Sequence, residues 1–159
     1  MLHIDIVCIG KLKEFYLKEA IQEYSKRLSK YCHLQITELP DEKIPSILND
    51  SIIEEIKKKE SIQILEHIKK DSYIIALDLK GKQYTSEQFS EKITTIPLTH
   101  SHITFIIGGT LGMTDNLLDI CHERICFSKM TFPHQLIRLF LLEQLFRAFK
   151  MANHETYHR

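Results

Sequence analysis

Several things are scarce in this sequence, and each scarcity excludes something. Lysine plus arginine number 21, and so do aspartate plus glutamate, which leaves no net charge and an isoelectric point near 7.1. Binding to phosphates grows with the number of cations that displace counterions. The chain is therefore not a generic polyanion binder, DNA is not expected as a partner, and any contact with nucleic acid has to be local. Five glycines and four prolines are too few for a flexible linker, and no internal repeat or low-complexity tract is visible. No apolar run is long enough to span a bilayer, and neither a signal peptide nor a lipidation motif is apparent. No membrane is expected, and the chain reads as cytoplasmic. The four cysteines Cys8, Cys32, Cys121 and Cys126 are then expected as reduced thiols. Cys121, His122 and Cys126 lie close together, but their spacing fits neither a zinc finger nor a ribbon. They read as buried thiols, and no metal is expected.

What is present suffices for a core. With 159 residues, 43% of them hydrophobic, the chain is expected to form one domain, residues 1–159, without disulfide or metal staples. A strand "HIDIVCIG" opens it. A helix from about Glu14 to Lys30 follows, with Leu17, Ala20, Ile21, Tyr24, Leu28 and Tyr31 on one face, and then a strand "HLQITEL". Ser51 to Lys70 reads as a helix with Ile52, Ile53, Ile56, Ile64, Leu65 and Ile68 inward, interrupted by a charged run from Lys57 to Glu60 that is expected to face solvent.

"YIIALDL" reads as a continuous apolar run, as a strand covered on both faces requires, and "ITFII" as another doubly buried strand ending at Gly108. A capped helix "TSEQFSEKI" separates them. After "GGTLG" come a short helix from about Thr114, a last strand "ICFS" and a long helix beginning near Pro133. Strands alternating with helices argue for an α/β fold with a largely parallel sheet flanked by helices.

In such sheets ligands bind beyond the carboxyl ends of the strands, which directs attention to "LDLKG", "GGTLG" and "FSKMTFPH". The glycine stretch lacks GxGxxG spacing and a following acidic residue, so a hydride-transfer enzyme is not expected. Its glycines permit positive φ and close approach of backbone to a ligand, although a tight strand-to-helix turn without a ligand would look the same. "SKMTFPH" offers backbone N–H groups ahead of a helix-starting proline, either for a ligand or as a plain loop. From Lys129 onward, Lys129, Arg138, Arg147, Lys150 and Arg159 outnumber Glu143 and Glu155, making this the end expected to face an anion. The last helix is apolar around nearly its whole circumference, from Leu136 and Ile137 to Phe149. One sheet cannot bury so wide a face, and a dimer interface is the favoured explanation.

"ALDLKGK", "FIIGGTLG", "FSKMTFPHQLIRLFLLEQLFRAFK" and the terminal "YHR", with "IVCIGKLKEFY" and "ELPDEK" before them, resemble the bacterial RlmH family. These are the SPOUT-class methyltransferases acting on pseudouridine N3 of large-subunit ribosomal RNA. The resemblance runs the length of the chain. It implies an α/β domain with a C-terminal trefoil knot, a rare exception to the rule against knots. It also implies a homodimer in which S-adenosylmethionine sits beside the partner's tail, and a substrate read within the assembled ribosome. Carried over by motif, the cofactor would be held by Leu77, by Gly108, Gly109 and Gly112, and by Phe127, Ser128, Lys129, Met130, Thr131, Phe132 and Pro133. His134, Arg138, Tyr157, His158 and Arg159 would face the RNA, with His158 or His134 taking the N3 proton and a nearby arginine stabilising the imide anion. Two other readings stay open: a SPOUT enzyme acting on transfer RNA, and a non-catalytic ribosome-binding factor of the same fold.

Overall fold

The computed structural model describes residues 1–157. Five strands run in chain order with five helices between and after them: β1 (Leu2–Ile9), α1 (Phe15–Leu28), β2 (Cys32–Leu39), α2 (Asp50–Glu66), β3 (Tyr73–Lys82), α3 (Ser86–Thr95), β4 (His102–Ile107), α4 (Asp115–Asp119), β5 (Glu123–Ile125) and α5 (His134–Ala152). A short 3-10 turn, Ile96–Leu98, follows α3. The strands form one sheet in the order β2-β1-β4-β3-β5, every neighbouring pair parallel.

The apolar runs explain why the sheet is buried on both sides. Along β1, Ile4, Ile6 and Cys8 point to one face and Val7 and Ile9 to the other, as the two-residue strand period demands. The first face is covered by Ile21 and Leu28 of α1, Phe89 and Ile93 of α3, and Leu141, Leu142 and Leu145 of α5. The second is covered by Ile64 of α2 with Leu117 and Leu118 of α4. Each fully buried leucine or isoleucine contributes about 1.5–3 kcal/mol relative to an exposed one.

Local signals set the helix starts. Asn49 caps α2 by accepting from the N–H of Ile52, and Thr85 and Gln88 form a reciprocal capping box on α3. Two expectations differ from the structure. The last strand is Glu123–Ile125 rather than "ICFS", because β3 bulges between Leu77 and Lys82 and offers β5 only a short ladder. In α2, Leu65 is half exposed while Glu60, expected on the solvated face, is buried with Ile56 and Ile64.

At the amino edge of the sheet, His33, His3 and His102 sit in register on β2, β1 and β4. Their rings stack at 4.8 Å and 4.6 Å. Burial and the two neighbouring imidazoles hold the pKa of His3 below the ordinary histidine value.

Candidate active site

At the opposite edge, beyond the carboxyl ends of β1, β3, β4 and β5, lies a cavity of about 940 Å³. Three chain segments form most of its wall: Leu77 to Leu79 after β3, Ile107 to Met113 after β4, and Ile125 to Arg138 across the loop into α5. The end of β1 and the segment after it add Ile9, Gly10, Lys11 and Lys13, and the β2–α2 segment adds Asp41. Parallel strands put all their carboxyl ends on one edge, so segments distant in sequence meet there.

The glycine turn after β4 closes on itself. The N–H of Gly112 donates to the carbonyl of Gly109 at 3.0 Å. Within the turn only Gly112 has a positive φ, +88°, and a Cβ there would meet open space. Gly108 and Gly109 are glycines for a different reason, which is crowding. A Cβ on Gly108 would lie 2.7 Å from Met113 Cγ, and one on Gly109 would lie 2.6 Å from Glu60 Oε1. Side-chain space at Gly109 therefore points at Glu60. The far end of the turn is pinned by Ser61, whose Oγ accepts from the N–H of Thr114 at 3.0 Å.

The second wall is the loop from Cys126 to Pro133. Cys126 Sγ donates to the carbonyl of Ser128 at 2.8 Å, and the N–H of Met130 donates to Ser128 Oγ at 3.1 Å. Lys129, Met130 and Thr131 are exposed, while Phe132 packs edge-on against Phe140 of α5. Pro133 is the residue before α5, and its carbonyl accepts from the N–H groups of Leu136 and Ile137.

The residues proposed from the sequence are brought together unevenly. Leu77, Gly108, Gly109, Gly112, Phe127, Ser128, Met130, Thr131, Phe132 and Pro133 all line the cavity, as does His134; Lys129 does not. Burial, and then the charge of Arg138, hold the pKa of His134 below the ordinary value, so its imidazole is neutral at physiological pH. Tyr157 lies away from this chain's own cavity. Its ring packs against Phe146 and its hydroxyl donates to Glu143 Oε1 at 3.2 Å. Burial is the main reason its phenol is pushed up to about 12. His158 and Arg159 fall outside the described residues.

Arg138 also lines the cavity, but it is 1% exposed and its guanidinium is engaged within the chain. Its guanidinium donates to Glu38 Oε2 at 2.9 Å and to the carbonyls of Ile9 and Gly10 at 3.0 Å and 2.6 Å. Carbonyl oxygens ending β1 and a carboxylate from β2 converge on the first turns of α5, so Arg138 fastens that helix to the sheet. The cationic surplus at this end is also drawn inward. Arg147 pairs with Glu143 at 2.6 Å, and Lys150 pairs with Glu155 at 2.7 Å.

Two residues that sequence reasoning did not single out belong to the site's surroundings. Asp78 lines the cavity with Oδ2 buried and, among the described residues, unpartnered. Glu60 supports the glycine turn from behind. Its signal was available, since Ile56, Glu60 and Ile64 recur every four residues and so share one helix face.

A parallel α/β sheet with a glycine turn and a helix-leading loop around a cavity at its carboxyl edge is the architecture of a small-ligand enzyme. Family comparison makes this specific. The model of the predicted SPOUT methyltransferases matches residues 2–158, and the chain belongs to that family. It is 55% identical over 161 residues to the ribosomal RNA large subunit methyltransferase H of Clostridium botulinum, covering 99% of this chain and 100% of that protein. The enzyme of the same name from Ruminiclostridium cellulolyticum is 50% identical over 157 residues, covering 98% and 99% of the two chains. A solved structure of a probable methylase family protein from Haemophilus influenzae is similar in fold. Its TM-score is 0.55 at 13% identity, over 98% of this chain and 70% of that one.

Proposed function

We propose that this chain methylates large-subunit ribosomal RNA at N3 of a pseudouridine, within the assembled ribosome, using S-adenosylmethionine. The observation that carries the reading is the likeness of 55% along the whole chain to a protein named for that RNA. The cavity is compatible with it. A volume of about 940 Å³ suits a ligand of nucleoside size. Leu77, Leu79 and Ile107 offer apolar wall for a flat base, and the unpartnered Asp78 Oδ2 offers an acceptor to a ligand hydroxyl or ammonium. Leu77, the glycine turn and the loop from Phe127 to Pro133 would hold the cofactor.

When bound, its sulfonium supplies a methyl group already activated for transfer. The chain's own residues then have to align the acceptor and remove its proton. Alignment alone is worth up to about 7–11 kcal/mol. His134, neutral and on the cavity wall, suits the role of proton acceptor, and His158 is the alternative. Arg159 is the arginine assigned to the developing imide anion, since Arg138 is already committed to Glu38 and the end of β1.

The working unit in this reading is a cytoplasmic homodimer of single-domain, knotted subunits. Leu136, Ile137, Leu139 and Phe140 of α5 are only partly covered within one chain, which leaves apolar surface for a partner. A partner's Tyr157, His158 and Arg159 would complete the site, from which a chain's own Tyr157 lies apart. Near-zero net charge, with Arg147 and Lys150 internally paired, favours a substrate recognised by shape over free RNA.

Mass spectrometry of ribosomal RNA from cells with and without the gene tests the proposal. Loss of one methyl group from a large-subunit pseudouridine is the expected result. Intact methylation there, or loss confined to a transfer RNA, overturns it.

A further inference from the structure

We propose that Glu60 is a positioning residue for the methyl-donor site, acting through Gly109 and coupling the β2–α2 segment to the glycine turn. The proposal rests on the cofactor reading of the cavity.

Glu60 is 3% exposed, in the middle of a helix whose other buried positions are apolar or small. Carboxylates are rarely buried without a task for both oxygens. Here Oε2 accepts from the N–H of Glu42 at 3.0 Å, while Oε1 has no partner among the described residues. Instead Oε1 lies 2.6 Å from where a Cβ on Gly109 would be, so the carboxyl packs closely on the turn's backbone. Gly109 lines the cavity and Glu60 does not, so the contact comes from behind.

The next residue, Ser61, holds the other end of the turn through Thr114. Asp41, adjacent to the Glu42 that Glu60 binds, is itself on the cavity wall. One turn of α2 thus touches both ends of the glycine turn and the β2–α2 segment. A shift in Glu60 moves the backbone that a ligand would touch.

The electrostatics give this contact a signature. Burial disfavours the charged carboxylate and raises its pKa, with smaller contributions from Asp41 and Glu42; the Glu42 N–H acts the other way. Those two acids are the charged groups acting on Glu60, for residues 108–114 contain no titratable side chain. A group with a raised folded pKa contributes its full stabilisation below its unfolded value, and loses it as pH rises through the folded one. The seated arrangement is therefore favoured at low pH and weakened as Glu60 ionises.

The test uses the full chain, wild type, Glu60→Gln and Glu60→Ala. Urea unfolding at stepped pH and calorimetry with S-adenosylmethionine are combined with amide hydrogen exchange over residues 108–114. In wild type, stability should fall as pH rises through the raised pKa of Glu60. Glu60→Gln, neutral and of the same shape, should remove that part of the slope and keep slow exchange. Glu60→Ala should weaken binding by about 10-fold or more and speed exchange in the turn. Parallel pH slopes in wild type and Glu60→Gln overturn the proposal, and so does unchanged exchange in Glu60→Ala. If Glu60→Ala does not fold, the slope in Glu60→Gln decides. Absence of binding by wild type defeats the cofactor reading, and the exchange comparison still decides whether Glu60 sets the turn.

Discussion

The glycine turn from Gly108 to Met113 and the loop from Cys126 to Pro133 face one cavity, but they are held by different means. The turn is braced from another element: Ser61 bonds to Thr114, and Glu60 presses on Gly109. The side-chain hydrogen bonds that shape the loop run from Cys126 to Ser128 and from Met130 to Ser128, within the loop itself. Its fixed points are at its two ends, where the Cys126 N–H donates to the carbonyl of Lys82 at 3.0 Å and where Phe132 meets Phe140 and Arg138 ties α5 to the sheet. A wall braced from outside is preformed. One that bonds mainly to itself is free to adjust to a ligand, and active sites commonly combine the two.

The largest expected effect breaks the loop's distant anchor. Arg138→Met removes three hydrogen bonds and leaves Glu38 facing the end of β1 without its cation, at a cost of about 3 kcal/mol in urea unfolding. A loss below about 1 kcal/mol would show that α5 does not depend on this clamp.

Next comes the turn's backbone. Gly112→Ala meets no steric obstacle, so its cost is that of placing an L-residue at φ +88°, about 1–2 kcal/mol. Thermal and urea denaturation should agree on that figure, and a neutral substitution would mean the turn can relax.

The comparison is sharpest in a pair of serine variants. Ser61→Ala leaves the Thr114 N–H without its acceptor and should cost about 1 kcal/mol. Ser128→Ala, whose bond to Met130 is solvent-exposed, should cost no more than about 0.5 kcal/mol. Equal losses would show that the two walls are equally preformed.

The smallest effect is a titration. Burial lowers the pKa of His134, so its neutral form is favoured in the fold. That contribution is complete above the unfolded value of about 6.5 and is lost as pH falls through the lower folded value. His134→Gln should flatten stability against pH below about 6.5, as measured by denaturation at stepped pH. An unchanged slope would place the acid sensitivity elsewhere, with the stacked His3 as the next candidate.

Much of the sheet was legible because Ile74 to Ala76 and Phe105 to Ile107 are apolar on both faces, which only a doubly covered strand tolerates. β5 was misplaced because Glu123 and Arg124 do not read as strand; pairing with β3 makes them one. The cavity-lining glycines were legible as glycines, but the reason for Gly109 was not, since Glu60 lies 49 positions away in sequence and meets it only through the fold. The partners of Arg138 were illegible for the same reason. A cation at the start of a helix looks solvent-facing until β1 and β2 bring a carboxylate and two carbonyls to it.

The clamp at Arg138 also has a bearing on how the chain acquires its shape. It joins residues 128 and 129 positions apart, and Lys13 to Gln135 spans another 122. Strand β4, moreover, must enter between β1 and β3, both of which precede it in the chain. During synthesis residues 1–133 emerge before the helix that closes the cavity, which stays open on one side until α5 has followed them. Closure carries a high loop-closure cost, and refolding in vitro should be slow for contacts so distant in sequence.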